Sequence, residues 1–347
     1  MELLLVSILF AVQSTVGEAS PEPQALWTEW LGSWEMLEVT AVRQDLRLEL
    51  DLEMQGVEGE GSAVQQEFRQ ALEGVRCDLL YRIRIASADR LRLELQGSFS
   101  VVSPDEQELF VVKGCAGLLA DGETLRLWAD GTLSKEPEPF RGGASIRQAT
   151  AESIYAEILA MFRAAVTKEP TMRAYSQMVD AAPPTLMTYL HPRNYWLTSA
   201  EAMTATRFEV AGDAVRVELR IPEDSLQAYA NIEAMMAEPA TDDEEFYAFM
   251  RSLRIEISCD RTTGWIHEMT FRGDLLLQDW DPELQGSVAA RFTLRSELLE
   301  WIAPSPEEMQ PPEGLAWFDL EVLVPLIRML MKQSFPAQNA SDDDLEF

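Results

Sequence analysis

The sequence predicts an α+β protein in which helices cover the concave face of a curved antiparallel sheet, an unclosed half-barrel. Several segments alternate apolar and charged residues, and residues 46–54, LRLELDLEM, show this pattern most plainly. An alternation with period two is typical of a strand that buries one face. Residues 25–39 and 151–166 instead place apolar residues three and four apart, which predicts amphipathic helices. Because the strands come in blocks between the helices, an antiparallel sheet is favoured.

Two Asp-Gly pairs bracket one predicted strand in the stretch LLADGETLRLWADGTLSKEP, residues 118–137. Asp-Gly is a strong turn signal, because glycine accepts positive φ and aspartate bonds its local backbone. We therefore expect turns at 121–122 and 130–131. Leu125 and Leu127 fall on one face of the strand between them. Charged residues on the opposite faces of the strands indicate a sheet that is covered on one side only.

A hairpin is predicted in residues 253–277, LRIEISCDRTTGWIHEMTFRGDLLL, where DRTTG supplies the turn. Both of its strands alternate apolar and polar residues. The residues expected on its inward face are Leu253, Ile255, Ile257, Cys259, Trp265, His267, Met269 and Phe271.

Residues 318–333, FDLEVLVPLIRMLMKQ, predict a strongly apolar last helix with Pro325 inside it. The helix carries more apolar surface than one docked face needs, and proline weakens its hydrogen-bond ladder. Three interpretations stay open: permanent core packing, a mobile lid over a cavity, and an interfacial contact with a membrane. We favour core packing in which the helix also forms one wall of a cavity.

The N-terminus predicts a secretory signal peptide at residues 1–19. An apolar run from Leu3 to Val12 is followed by small residues near Ala19, as expected before a cleavage site. The run is preceded by Glu2 and lacks the basic residues that are usual in a signal peptide. We expect export to the periplasm or the medium, a single domain over residues 20–335, and a disordered acidic tail at 336–347.

The composition indicates a folded, strongly acidic protein. The 347 residues carry a formal net charge of −31, and 47% of them are hydrophobic, which indicates a folded chain. The negative charge argues against binding to nucleic acids or anionic membranes by general electrostatic attraction, since those partners are also negative. We expect a monomer whose protein partners, if it has any, bind transiently.

No catalytic constellation is found in the sequence. Of the two histidines, His191 lies in an irregular polar segment and is expected to have a surface or structural role. His267 shares an apolar strand face with Cys259, and a core histidine is favoured over a Cys-His nucleophile or half a zinc site. Most carboxylates alternate outward on strands, where solvation explains them. We therefore predict a protein that is not an enzyme and holds no cofactor or metal; a hydrolase that uses scattered carboxylates is the enzymatic alternative.

The three cysteines leave at least one thiol without an intramolecular partner. Cys77 and Cys115 both lie by predicted strands, so a disulfide between them stays open. The favoured interpretation treats all three, including Cys259, as small buried apolar residues.

The sequence resembles the LolA/LolB lipoprotein-carrier superfamily over residues 22–320. An exported chain opens with an amphipathic helix and enters a one-sided meander, which includes DGETLRLWADGTLSKEP. A central helix, the late hairpin IEISCDRTTGWIHEMTF and the segment QPPEGLAWFD follow. The long insert at 170–250 and the acidity depart from the family. The resemblance implies an unclosed β-barrel with a helical lid over an apolar cavity, in which such carriers hold acyl chains.

On this basis we expect a carrier of a lipid or other hydrophobic ligand, whose burial would contribute about 0.8 kcal/mol per CH₂. Helices rich in tryptophan and methionine would form an adaptable lid. The residues expected to line the cavity are Leu91, Leu93, Leu125, Leu127, Ile255, Ile257, Met269 and Phe271. The alternative is a non-catalytic periplasmic interaction or sensor module whose cavity is filled by its own helices.

Overall fold

The structure, a computed structural model, describes residues 21–32, 41–55, 63–102, 108–133, 139–168, 185–192, 203–222, 251–276 and 286–334. Its helices are α1 (Pro21–Gly32), α2 (Ala63–Glu73), α3 (Gln148–Lys168), α4 (Leu186–Leu190) and α5 (Val324–Ser334), with a 3-10 helix (Leu320–Leu323) before α5. Its strands are β1 (Val42–Gln55), β2 (Val75–Ser87), β3 (Arg90–Val102), β4 (Glu108–Asp121), β5 (Thr124–Leu133), β6 (Phe140–Arg147), β7 (Thr204–Ala211), β8 (Ala214–Arg220), β9 (Arg254–Asp260), β10 (Ile266–Leu276), β11 (Ser287–Glu300) and β12 (Trp317–Asp319).

The strands form one sheet in the order β12-β6-β5-β4-β3-β2-β1-β11-β10-β9-β8-β7. Strands β1 to β6 make a first antiparallel meander and β7 to β11 a second, and antiparallel pairing of β1 with β11 joins the two. Strand β12 pairs with β6 in the parallel sense. Because the order begins at β12 and ends at β7, the sheet stays open. The predicted α+β fold with an unclosed, mainly antiparallel sheet is confirmed.

The first core lies between the first meander and helices α3 and α4. Its main row crosses six strands in register and is buried throughout: Val42, Ile85, Leu91, Ala120, Leu125 and Ile146. Ala151 of α3 and Met187 of α4 belong to the same cluster. The Glu152 carboxylate fixes α4 by accepting hydrogen bonds from the backbone N–H groups of Leu186, at 2.7 Å, and Met187, at 3.1 Å.

The second core lies between the second meander and α1. Trp27 of α1 is fully buried there, and its ring stacks on Trp30 with 5.3 Å between the centroids. At the sheet edge, the Gln24 side chain accepts a hydrogen bond from the backbone N–H of Ala205 at 2.6 Å. The helix predicted at 25–39 is thus confirmed as far as Gly32, and its later residues lie outside the described part of the chain.

Three glycines in register allow the first meander to bend. Gly97, Gly114 and Gly131 are neighbours across β3, β4 and β5. A Cβ atom at each of them would collide with the backbone of an adjacent strand, and Gly97 also has a φ of +147°. Glycines at such positions are a means of curving a sheet. Pairing on both sides keeps Gly131 extended, so the predicted turn at 130–131 is wrong and β5 continues to Leu133.

Two other predicted turns are confirmed, and in both an aspartate binds the local backbone. Asp121 Oδ1 accepts from the N–H of Thr124 at 2.8 Å, and Gly122 takes a φ of +93°. Asp260 Oδ1 accepts from the N–H of Thr262 at 2.9 Å, and Gly264 takes a φ of +66°.

A β-bulge changes the predicted faces of the late hairpin. The register shifts between Ile266 and Glu268, which leaves His267 outside the regular pairing. Trp265 therefore packs in the first core, whereas His267 is half-buried. The prediction of His267 as a core residue beside Cys259 is wrong, because the bulge interrupts the alternation.

Residues 318–333 do not form one helix. Phe318 lies in β12, the 3-10 helix follows, and α5 begins at Val324. Pro325 thus lies in the first turn of α5, where a missing N–H costs no helical hydrogen bond. The prediction of Pro325 inside the helix is wrong.

Helix α2 was not predicted, although Val64, Phe68 and Leu72 recur every four residues within it. The predicted signal peptide at 1–19 and the predicted acidic tail at 336–347 lie outside the described residues.

Candidate functional site

The apolar face of the first meander continues beyond the buried main row of the first core. A second row, here called the open row, crosses the same strands in register and ends on β12: Ile83, Leu93, Leu118, Leu127, Ala144 and Phe318. It lies two residues along each strand from the main row, so both rows share one face of the sheet.

Exposure rises along the open row towards the edge of the sheet. Ile83 is 2% exposed, Leu93 and Leu118 are half-buried, and Leu127 and Phe318 are 43% and 50% exposed. In register, Leu127 and Phe318 flank Ala144 on the same face. The helices that bury Leu125 therefore leave an aliphatic and aromatic surface uncovered one row further along the strands.

The chain that follows Phe318 adds further exposed apolar side chains. Val322 is 64% exposed, and Leu326, Met329 and Leu330 of α5 are 46–50% exposed. Only one face of α5 is docked: Val324 is buried in the first core. Two exposed apolar surfaces thus follow one another along the chain, the end of the open row and the outer face of α5.

The structure separates the eight residues predicted to line one cavity. Leu91 and Leu125 are buried in the first core. A second group of four is buried in the second core around Trp27: Ile255, Ile257, Met269 and Phe271. Leu93 and Leu127 belong to the open row. Six of the eight therefore serve as core in two separate clusters. Of the remaining two, Leu93 is half-buried and Leu127 is exposed.

The second face of the first meander is covered by a segment here called the strap, residues 301–316. Met309 and Leu315 of the strap are buried with Leu119 and Trp128. The prediction that the sheet is covered on one side only is wrong. The second face is covered because the apolar ring of Trp128, on β5, lies on that otherwise polar face and is buried by the strap.

An ionic cluster holds the strap on the sheet. Glu308 Oε1 accepts hydrogen bonds from Arg43 Nε at 3.0 Å and Arg84 Nε at 3.1 Å. Although burial opposes ionisation of Glu308, hydrogen bonds from the Ser305 backbone and from both arginines lower the pKa of its carboxyl group. Arg92 donates to two strap carbonyls and lies 5.4 Å from the Trp128 ring centroid. These charges have structural partners, so the cluster is a clamp rather than a reactive centre.

His191 is the more buried of the two histidines, and His267 is only half-buried. His191, predicted at the surface or in a structural role, is 5% exposed and lies 5.9 Å from Trp265 between ring centroids. This packing supports a structural role for His191, although the sequence around it is polar. Neither histidine belongs to a group of three or more potential metal ligands, and the described residues contain no such group.

The cysteines do not form the disulfide that the sequence left open. Cys77 lies on β2 and Cys115 on β4, with β3 between them, and all three thiols are free. Cys259 is fully buried, and this burial raises the pKa of its thiol to about 12. Cys77 and Cys115 are only half-buried, so the interpretation of all three as buried residues holds for Cys259 alone.

The fold and this surface define the class of protein: an α+β protein built on one unclosed sheet, whose apolar face is only partly covered by helices. No protein-family model and no curated protein matches the sequence. Among solved structures, a beta-barrel-like protein of domain of unknown function DUF1849 from Brucella abortus is similar, with 13% identity over 76% of this chain and 98% of that chain and a TM-score of 0.30. Among the described residues, no helix is long and apolar enough to cross a membrane.

Proposed function

We propose that this protein is an exported, non-enzymatic carrier that binds an acyl chain or another hydrophobic ligand on the uncovered part of its apolar face. The proposal combines the signal-peptide pattern of residues 1–19 with the sequence resemblance to LolA/LolB-type carriers. One observation carries it: the open row continues the buried face of the sheet to Leu127 and Phe318, which are 43% and 50% exposed.

The chemistry of this surface suits a flexible apolar ligand. Leu93, Leu118 and Leu127 present aliphatic groups on three adjacent strands, and Phe318 adds an aromatic ring at the edge. Burial of an acyl chain here would contribute about 0.8 kcal/mol per CH₂ and would also cover the protein's own apolar groups. Contiguous exposed apolar surface of this kind is typical of interaction and ligand sites.

A second function, an interaction or sensor module with a self-filled cavity, is favoured by a separate observation. Six of the eight predicted lining residues are buried against the protein's own helices and strands. Under this alternative the open row would be a surface for another protein, and a free acyl chain would not bind.

The two functions can be separated by the binding of a fluorescent fatty acid and its displacement by palmitate. We expect saturable binding by the wild-type protein and at least about tenfold weaker binding by Leu127→Glu, since a charge would be placed in the apolar contact. Val210→Glu is the matched control, because Val210 is 46% exposed on β7 at the opposite edge of the sheet.

Binding that is unchanged in Leu127→Glu, or equally weakened in Val210→Glu, would contradict the proposed site. A folded wild-type protein that does not bind the probe at all would favour the interaction module.

A further inference from the structure

A row of four arginines crosses the second meander on its polar face. Arg220, Arg254, Arg272 and Arg291 lie on β8, β9, β10 and β11 and are direct register partners, each of the next. The apolar residues on the opposite face of these strands form the second core. This arginine row is therefore separate from the open row, which lies on the first meander.

The row is unexpected in a chain with a net charge of −31. Like charges directly opposite one another on neighbouring strands destabilise a sheet. Three such pairs occur in succession here, and desolvation together with the charge of Arg220 lowers the pKa of Arg254. The repulsion between these arginines is unfavourable in the free protein, and a bound anion would reduce it.

The row is only partly neutralised by the protein itself. Arg272 forms an ion pair with Glu256 at 3.2 Å, and Arg220 lies 3.6 Å from Glu218. Arg254 uses one Nη to donate to three backbone carbonyls, those of residues 251, 252 and 253. Arg291 is exposed and, within the described part of the chain, forms no ion pair, although Asp51 is its register partner on β1.

We propose that the arginine row binds a linear oligoanion whose phosphate or sulfate groups lie along it. Guanidinium groups bind such oxyanions through charge-assisted and often bidentate hydrogen bonds. With strands about 4.8 Å apart, four arginines span about 14 Å, which several linked oxyanion groups can follow.

The flanking carboxylates select for a narrow ligand. Glu218 and Glu256 lie two residues along their strands from Arg220 and Arg254, and Asp274 lies two residues from Arg272, all on the same face. A ligand confined to the row meets the arginines, whereas a broad anionic surface such as a bilayer also meets these carboxylates. The structure therefore favours a soluble oligoanion over a membrane.

Titration calorimetry with sodium tripolyphosphate tests this proposal on the full mature chain. Wild-type protein is expected to bind with an affinity that decreases as salt is added. The Arg272→Gln/Arg291→Gln variant should bind about tenfold more weakly, since two of the four guanidinium groups are lost. Arg216→Gln is the control: Arg216 is exposed on the same face of β8, outside the row, and should change the affinity less than about twofold.

The binding measurements either support or contradict an oligoanion site at the arginine row. If the double variant does not fold, Arg291→Glu serves in its place, because Arg291 is exposed and forms no ion pair in the described residues. Absence of tripolyphosphate binding, or equal loss in Arg216→Gln, would overturn the proposal. So would binding to phosphatidylglycerol vesicles without binding to tripolyphosphate. Failure of fatty-acid binding leaves this result unaffected, since the two sites lie on different meanders and opposite faces.

Discussion

Arg328 donates two hydrogen bonds to the Glu157 carboxylate, from Nε at 3.0 Å and from Nη2 at 2.6 Å. The pair joins α5 to α3, and the same guanidinium donates to Ser153 Oγ at 3.2 Å. Together with the burial of Val324 in the first core, these contacts attach one face of α5 to the protein. The opposite face, with Leu326 and Leu330, remains exposed.

Docking of α5 by one face predicts a difference between two truncations of its side chains. Val324→Ala should lower the free energy of unfolding by about 2 kcal/mol, since it removes two buried methyl groups and leaves a cavity. Leu326→Ala should change it by less than about 0.5 kcal/mol, because Leu326 is exposed. Urea denaturation of both variants measures this, and equal effects would show that α5 is not docked as described.

The ionic cluster that holds the strap on the sheet predicts that the Glu308 carboxylate is important for stability. Glu308→Gln removes one of the two carboxylates that face Arg84, which is 8% exposed in its side chain, and leaves only Asp45 to balance its charge. We expect a loss of about 2 kcal/mol in the free energy of unfolding, which is below the cost for a fully buried pair. Glu307→Gln changes the exposed neighbour and should have almost no effect. A Glu308 variant as stable as the Glu307 control would remove the clamp from this account.

The ion pair of Glu321 with Arg147 predicts acid sensitivity. Hydrogen bonds from Arg147 and Thr150 lower the pKa of Glu321 to about 2, from an ordinary value of 4.5. Because the folded-state pKa is lower than the unfolded one, the stabilisation is present above pH 4.5 and is lost as the pH falls towards 2. The melting temperature of Glu321→Gln should therefore decrease less steeply over this range than that of the wild type. Arg147→Gln should reproduce the shallower slope, and wild-type slopes in both variants would argue against the pair.

The packing of Trp128 predicts that two glycines differ in their tolerance of a methyl group. A Cβ at Gly117 would lie 2.6 Å from Trp128 Cε2, whereas a Cβ at Gly142 would have no atom within 4 Å. Gly117→Ala should destabilise the protein by about 2 kcal/mol, as expected for an overpacked site. Gly142→Ala should be neutral within about 0.5 kcal/mol. A Cβ at Gly117 would also lie 2.8 Å from the Leu93 carbonyl oxygen. Chemical denaturation distinguishes the two variants, and a stable Gly117→Ala would mean that both the ring and this backbone can move aside.

The local alternation of side chains was predictable from the sequence, whereas its exceptions were not. Residues 46–54 alternate as expected because strand geometry alone fixes the period. The bulge at His267 and the extended conformation of Gly131 depend on pairing with neighbouring strands. No single segment contains that information.

The candidate sites depend even more on tertiary structure. Leu125 and Leu127 are equivalent in the sequence pattern, yet one is buried and the other is exposed. The difference arises because the elements that pack on Leu125 in the first core do not extend over Leu127. The arginine row likewise follows from the register of four strands, which turn lengths and the bulge determine together.

The most direct test of the central claim is photolabelling of the mature protein with a diazirine-bearing fatty acid, followed by peptide mapping. We expect the label in residues 124–147 and 317–334, which contain Leu127, Phe318 and α5, and we expect palmitate to prevent it. Label concentrated on residues 254–276, or label that palmitate does not prevent, would contradict acyl-chain binding at the open row.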